Sequence, residues 1–398
     1  MSIDWYNWIS LIVRWFHIIV GIAWIGASFY FVWLDNNLES TEEGDDADGH
    51  LWSIHGGGFY HNRKYMVAPE HLSPNLHWFK WEAYFTWISG FILFVILYYF
   101  GAQIYLIDSQ KYDLSSMQAI GISLSMLLLS WVCYDLMCKS ALRKKPLIFA
   151  VILFIYLTGI AYLADKFFSD RAAYIQVGAI IGTLMAGNVF WVIIPNQKKV
   201  VSSMIAGKPV DPSLGAAAKL RSLHNNYLTL PVLFMMISTH YPITYSQPAN
   251  WITLAAISLA GVSVRHYFNL RHTKRTKDPF IFLAMFFMLV AILVPASLSV
   301  SPDLEKVDPQ VTIEPKVMSL IKKHCVSCHS ANPTSDLFKT APKALEFDSA
   351  ASIKQNAMTI HQQVVEYESM PMGEIEMSDE ERRVIDNWYK SLSKNPDD

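Results

Sequence analysis

Apolar residues in this chain come in long runs. Stretches able to cross about 30 Å of hydrocarbon fall at about 8–34, 79–101, 116–138, 146–164, 173–194, 224–242, 249–270 and 279–299. Their length and scarcity of charge predict about eight transmembrane helices. The first run, Trp8–Leu34, is longer than a signal-peptide core, shows no small-residue cleavage pattern and is followed by more apolar runs. It therefore reads as a retained membrane helix. The polar intervals differ in sign. Lys139, Arg143, Lys144 and Lys145 separate the third and fourth runs. Lys198, Lys199, Lys208, Lys219 and Arg221 separate the fifth and sixth, and Arg271, Lys274, Arg275 and Lys277 the last two. The alternate intervals hold Lys111, then Lys166 with Arg171, then no basic residue in 243–248. Basic loops stay in the cytoplasm, so parity places both termini outside.

Past a Pro- and Asp-containing linker at 300–314 the pattern changes. A helical-looking segment, Pro315–Lys323, leads into Cys325-Val326-Ser327-Cys328-His329. Two cysteines two residues apart and followed by histidine are the attachment signature of c-type haem. The thiols of Cys325 and Cys328 add to the vinyl groups, and His329 sits under the iron. Met370, Met372 and Met377 follow, then Ser378-Asp379-Glu380-Glu381, an N-cap with acids in the first turn of a closing helix. That order predicts a small all-α class I cytochrome c, with one covalent haem c and Met370 as the second axial ligand. Zinc would need two more ligands, and a disulfide would not require His329. Haem c is attached outside the cytoplasm, so this argument and the loop charges agree on a periplasmic C-terminus. The predicted architecture is mainly α: a polytopic membrane domain over 1–299, the linker 300–314 and the cytochrome domain 315–398.

Composition bears this out. The chain of 398 residues is 52% hydrophobic and 17% charged, below the roughly 25% charged of soluble domains. A net charge of −2 gives no footing for nucleic-acid binding. Cys133 and Cys138 close an apolar run and read as free thiols.

Four stretches together resemble the bacterial membrane-bound urate hydroxylase family, a urate oxidase with a C-terminal cytochrome c domain. They are His55-Gly56-Gly57-Gly58-Phe59-Tyr60, His77-Trp78-Phe79-Lys80-Trp81-Glu82-Ala83-Tyr84, Arg221-Ser222-Leu223-His224-Asn225-Asn226-Tyr227 with Leu230-Pro231-Val232-Leu233-Phe234, and Cys325–His329. The resemblance covers essentially the whole chain. It implies an inner-membrane enzyme that oxidises urate to 5-hydroxyisourate with water as oxygen source. Electrons would pass to haem c, without peroxide, and on to a periplasmic cytochrome or terminal oxidase. The family's Met-Pro is followed by Leu-Gly-Asn, whereas Met372-Gly373-Glu374 follows Met370-Pro371 here, which adds a second methionine beside the expected ligand.

On the derived topology the first three stretches face the cytoplasm, where urate is made. Asn225, Asn226 and Tyr227 offer donors and acceptors, and Phe59 and Trp81 offer stacking. Gly56, Gly57 and Gly58 let the backbone approach a ligand, and Lys80, Arg221 or Arg265 balances charge. The proton acceptor is expected among His55, His77, Glu82 and His224. Each has a plainer reading: a tight turn for the glycines, a helix cap for the asparagines and an interfacial anchor for the tryptophans. Electrons released near the cytoplasmic face would have to cross most of about 30 Å of bilayer. A second centre, haem b held by His17 and His240, would bridge it; hydrogen-bonded helix packing is the plainer role of these two residues. Two other classes remain. One is a membrane-anchored wiring subunit with no urate chemistry. The other is a transporter fused to a cytochrome, since Phe16–Gly26 resembles copper-handling membrane proteins.

Overall fold

The computed structural model describes residues 5–42, 47–65, 73–108, 111–112, 114–245, 249–271, 279–298, 313–335, 341–342, 345–366, 370–371 and 377–392. The chain is mainly helical and separates into two compact units. The first comprises Met1–Thr239 and Ala249–Pro295, the second His240–Pro248 and Ala296–Asp398. This division sends the segment after His240 to the second unit, which the linear reading of domains did not foresee.

In the first unit, helices cover all eight apolar runs: α1 (Trp5–Asn36), α2 (Trp81–Phe94), α3 (Ser116–Lys139), α4 (Pro146–Phe167), α5 (Asp170–Gly187) leading into α6 (Ile194–Ile205), α7 (Pro212–Ser238), α9 (Asn250–Arg271) and α10 (Pro279–Leu298). A short α8 (Pro242–Tyr245) lies between α7 and α9 in sequence. Five spans among the described residues are long and apolar enough to cross a membrane: Trp8–Asn36, Trp81–Tyr99, Ser116–Lys139, Pro146–Phe167 and Asp170–Ile205. Helix α7 falls short because Lys219, Arg221, His224, Asn225 and Asn226 interrupt it. The apolar stretch of α10, Pro279–Val294, is shorter than the rest.

Helix α5 is the core of this unit. Ala172, Tyr174, Val177, Ile180, Leu184 and Gly187 are all buried, against α2, α3, α4 and α7. Helix α1 is the opposite case: Trp8, Trp15 and Ile22 are exposed, as suits a hydrocarbon-facing helix. Between α5 and α6 the helix widens into a π segment at Asn188–Ile193. Pro195 explains it, because it has no N–H to donate to the preceding turn.

The 35–78 interval, expected as loop, contains an antiparallel hairpin of β1 (Gly49–His55) and β2 (Gly58–Lys64). Gly56 and Gly57 turn it with φ of 57° and 79°, the left-handed pair that a two-residue hairpin demands. Lys64 Nζ reaches Asp35 at the end of α1, 2.6 Å away.

Helix α7 begins at Pro212, capped by Asp211, whose carboxylate accepts from the Ser213 amide at 2.9 Å. Asn225 and Asn226 therefore lie in mid-helix, and the expected helix start at 224 is corrected by twelve residues. An Asp-Pro cap outranked the hydropathy change.

The described residues of the second unit form helices and turns, with no strand among them. Helix α11 (Pro315–His324), α12 (Ala350–Gln355), α13 (Ala357–His361) and α14 (Asp379–Leu392) enclose Val317, Ile321, Phe347, Ile353, Ile360, Ile385 and Trp388. Helix α14 opens on a reciprocal capping box. Ser378 Oγ accepts from the Glu381 amide at 3.3 Å, and Glu381 accepts from the Ser378 amide at 2.9 Å. The Lys323 ammonium, then that amide and His324, hold the Glu381 carboxyl down at about 2.

Candidate functional site

Successive residues of a helix point about 100° apart, so Arg221–Tyr227 cannot all face one ligand. Helix α7 deals them to two sides. Arg221, His224 and Asn225 face α3 and the π segment, and Asn226 and Tyr227 face α9.

On the first side the polar groups close on one another. Arg221 donates to Asp135 Oδ1 at 2.5 Å and to Asn188 Oδ1 at 3.1 Å. Asn188 Nδ2 donates to Asn225 Oδ1 at 2.8 Å and to the Tyr134 hydroxyl at 2.9 Å. Asn225 Nδ2 donates to the Met185 carbonyl at 3.0 Å. The Tyr134 hydroxyl is also hydrogen-bonded to His224 Nδ1, 2.9 Å away. The ring stacks on Phe149, with centroids 4.6 Å apart.

Beside this network opens a cavity of about 880 Å³, lined by Trp131, Trp191, Asp135, Lys139, Arg143, Lys144 and Arg221. The Trp131 and Trp191 rings lie 4.8 Å apart. Gly187 makes room for Trp131, since a Cβ there would sit 2.5 Å from the indole.

On the second side the network stays open. Asn226 Oδ1 accepts from Arg265 Nε at 3.0 Å and from Asn269 Nδ2 at 2.8 Å. Two donors on one oxygen fix the orientation of the Asn226 amide. Asn226 Nδ2 and Asn269 Oδ1 are then buried without a partner. Asn226 is fully buried and Arg265 only 7% exposed. The Arg265 guanidinium lies 3.9 Å over the Phe29 ring, and no carboxylate pairs with it among the described residues. Each unsatisfied group costs about 1–3 kcal/mol, so a cluster of them marks a place made for something else. Tyr227 and His266 Nδ1 are hydrogen-bonded at 2.6 Å nearby.

The other candidates are spread out. His77 is exposed, 4.0 Å from Glu82, whose second oxygen is buried without a partner. Lys80 lies 5.0 Å over Trp81, which stacks on Phe85. Helix α1 links these groups to the open cluster: Phe29 meets Arg265, and Phe31 meets Phe79. His55, Gly56, Gly57, Gly58 and Phe59 belong to the hairpin, where Phe59 is 74% exposed. They make none of the contacts of either network. His17 donates Nδ1–H to Ser89 Oγ at 3.0 Å, and packs against Gly90, where a Cβ would lie 2.8 Å from its ring. His240 belongs to the second unit. Sequence reasoning missed Asn188, Asp135, Tyr134, Asn269 and Phe29. The one available signal was a lone acid, Asp135, in an apolar run four residues before Lys139.

In the second unit Cys325 and Cys328 are free thiols, and burial pushes Cys325 up to about 12. His329 donates Nδ1–H to the Leu345 carbonyl at 3.1 Å and stacks on Phe347. That bond directs the lone pair onto Nε2, the arrangement of an axial histidine. Met370 packs half-buried on the core, and Met377 is buried within it. Met372 lies outside the described residues. These residues fit a covalently held haem.

The model of a family described as Urate oxidase N-terminal matches residues 4–296. No curated protein and no solved structure matches the chain.

Proposed function

The chain belongs to the urate oxidase N-terminal family, and from that premise we propose that its membrane unit hydroxylates urate to 5-hydroxyisourate. The balance is urate plus water giving 5-hydroxyisourate, two protons and two electrons. Oxygen comes from water and the two electrons leave through a haem instead of to O2, so no peroxide forms.

The observation that carries the reading is the open cluster. Urate is a planar anion whose edges alternate ring N–H and carbonyl. Arg265 offers a guanidinium with no carboxylate, Asn226 Nδ2 a spare donor and Asn269 Oδ1 a spare acceptor. One cation answers one negative charge, and the spare donor and acceptor answer one carbonyl and one N–H. Phe29 holds the guanidinium flat. Withdrawn from bulk water, such contacts are worth more than they would be at a surface.

A proton acceptor is also needed, for urate and for the attacking water. Glu82 supplies it, with one buried oxygen unpaired and His77 near the other. His224 Nδ1 is already hydrogen-bonded to Tyr134, which removes that nitrogen from the role. Haem bound through Cys325 and Cys328, with His329 and Met370 as axial ligands, would supply a one-electron acceptor, with Met/His ligation raising its potential. The basic loops support a urate side in the cytoplasm of a bacterial inner membrane, and the attachment chemistry of c-type haem supports a periplasmic second unit. A soluble cytochrome or terminal oxidase there would take the electrons onward.

Anaerobic mixing of oxidised protein with urate tests this. Loss of the urate ultraviolet band should accompany reduction of a c-type haem, with no peroxide, and Arg265→Ala should slow both. Haem reduced by dithionite but never by urate would move the assignment to a wiring subunit.

A further inference from the structure

We propose that the cavity beside the closed network binds a phosphate-bearing ligand, distinct from the urate site. Charge counting separates the two. Four cations line the cavity: Lys139, Arg143, Lys144 and Arg221. Asp135 pairs with two of them, Lys139 at Oδ2 and Arg221 at Oδ1, both at 2.5 Å, but its single negative charge balances only one. Arg143 and Lys144 are left without a carboxylate among the described residues. The lining therefore keeps a surplus of positive charge, with Arg143 and Lys144 adjacent in sequence and unpaired, and this suits a dianion such as a phosphate monoester better than a monoanion like urate. Arginine and lysine are the usual phosphate partners, arginine through its planar fork and lysine as a point charge.

The remaining walls select for more than charge. Trp131 and Trp191 contribute indoles to the lining, and Ser213 and Asn196 stand with them. The position of Trp131 is built in by the missing side chain at Gly187. A volume of about 880 Å³ is near the upper end of the roughly 300–1,000 Å³ of ligand sites, enough for a phosphate together with the group that carries it. The floor is rigid, because Arg221 is held by Asp135 and Asn188. Both a free nucleoside monophosphate and the head group of an anionic lipid offer this chemistry.

Full-length protein in nanodiscs of phosphatidylcholine alone is titrated calorimetrically with adenosine monophosphate. The same discs with phosphatidylglycerol added are followed by thermal melting. Wild type is compared with Arg143→Ala/Lys144→Ala, which leaves the urate cluster untouched and should keep basal urate turnover. Binding of the nucleotide, weakened at least about tenfold in the double variant, supports the proposal with a free ligand as source. No nucleotide binding, but a phosphatidylglycerol-dependent rise in melting temperature that the double variant lacks, supports it with the head group as source. Equal behaviour of the two proteins in both arms overturns it. Failure of urate turnover in wild type would bear on the urate site and leave this test unaffected.

Discussion

Asn225 and Asn226 are neighbours in sequence with identical side chains, yet they serve opposite ends. Asn225 is fully engaged, accepting from Asn188 and donating to Met185. Asn226 accepts twice and keeps an idle donor. The arginines follow suit: Arg221 has Asp135, whereas Arg265 has only an amide and an aromatic face. The closed side is scaffold and the open side is receptor. Helix α7 therefore works as a partition, and its rigidity on one face is what lets the other carry unspent hydrogen bonds.

The comparison can be broken in stages. Asp135→Ala should have the largest effect, because it strands the buried Arg221. Loss of one partner of such a pair costs about 3–5 kcal/mol, seen as a large drop in melting temperature in detergent. Arg265→Ala should lower kcat/KM for urate about a hundredfold, equivalent to ~2.7 kcal/mol, with melting unchanged or raised, since an uncompensated buried cation is removed. A variant that melts early there instead would make Arg265 scaffold and erase the contrast. Asn269→Ala should raise KM for urate about tenfold, consistent with one lost contact of ~1.4 kcal/mol, and spare 9-methylated analogues if a different N–H is read. Tyr134→Phe should be the mildest. It removes one hydrogen bond of about 1 kcal/mol, visible as a small shift in melting with urate kinetics intact.

The parts legible in the sequence were those fixed by local pattern. The apolar runs marked every long helix of the first unit, and Ser378-Asp379-Glu380-Glu381 announced the N-cap and acidic first turn of α14. The Cys325–His329 spacing brought out the thiols and imidazole that the second unit arranges. Contacts between distant segments were not legible. Asn188 earns its place by lying between Tyr134, Arg221 and Asn225, which no window around residue 188 reveals. Likewise the glycines at 56 and 57 carry two readings in the sequence, ligand-facing or a tight turn, and the pairing of Trp52 with His61 and Ile54 with Phe59 shows the turn. The start of α7 was misplaced because hydropathy rises only after the polar turns that carry Arg221 and His224.

The π segment at Asn188–Ile193 has a consequence for the length of the chain. A π turn holds one residue more than an α turn, so α6 is rotated by roughly 100° from the phase a regular continuation of α5 would give. Removing a single residue from this stretch would restore a regular helix that looks sounder by every local measure. It would also swing Trp191 and Asn196 off the cavity wall. The segment should therefore tolerate substitution of its exposed side chains, such as Phe190, far better than it tolerates any change in residue count.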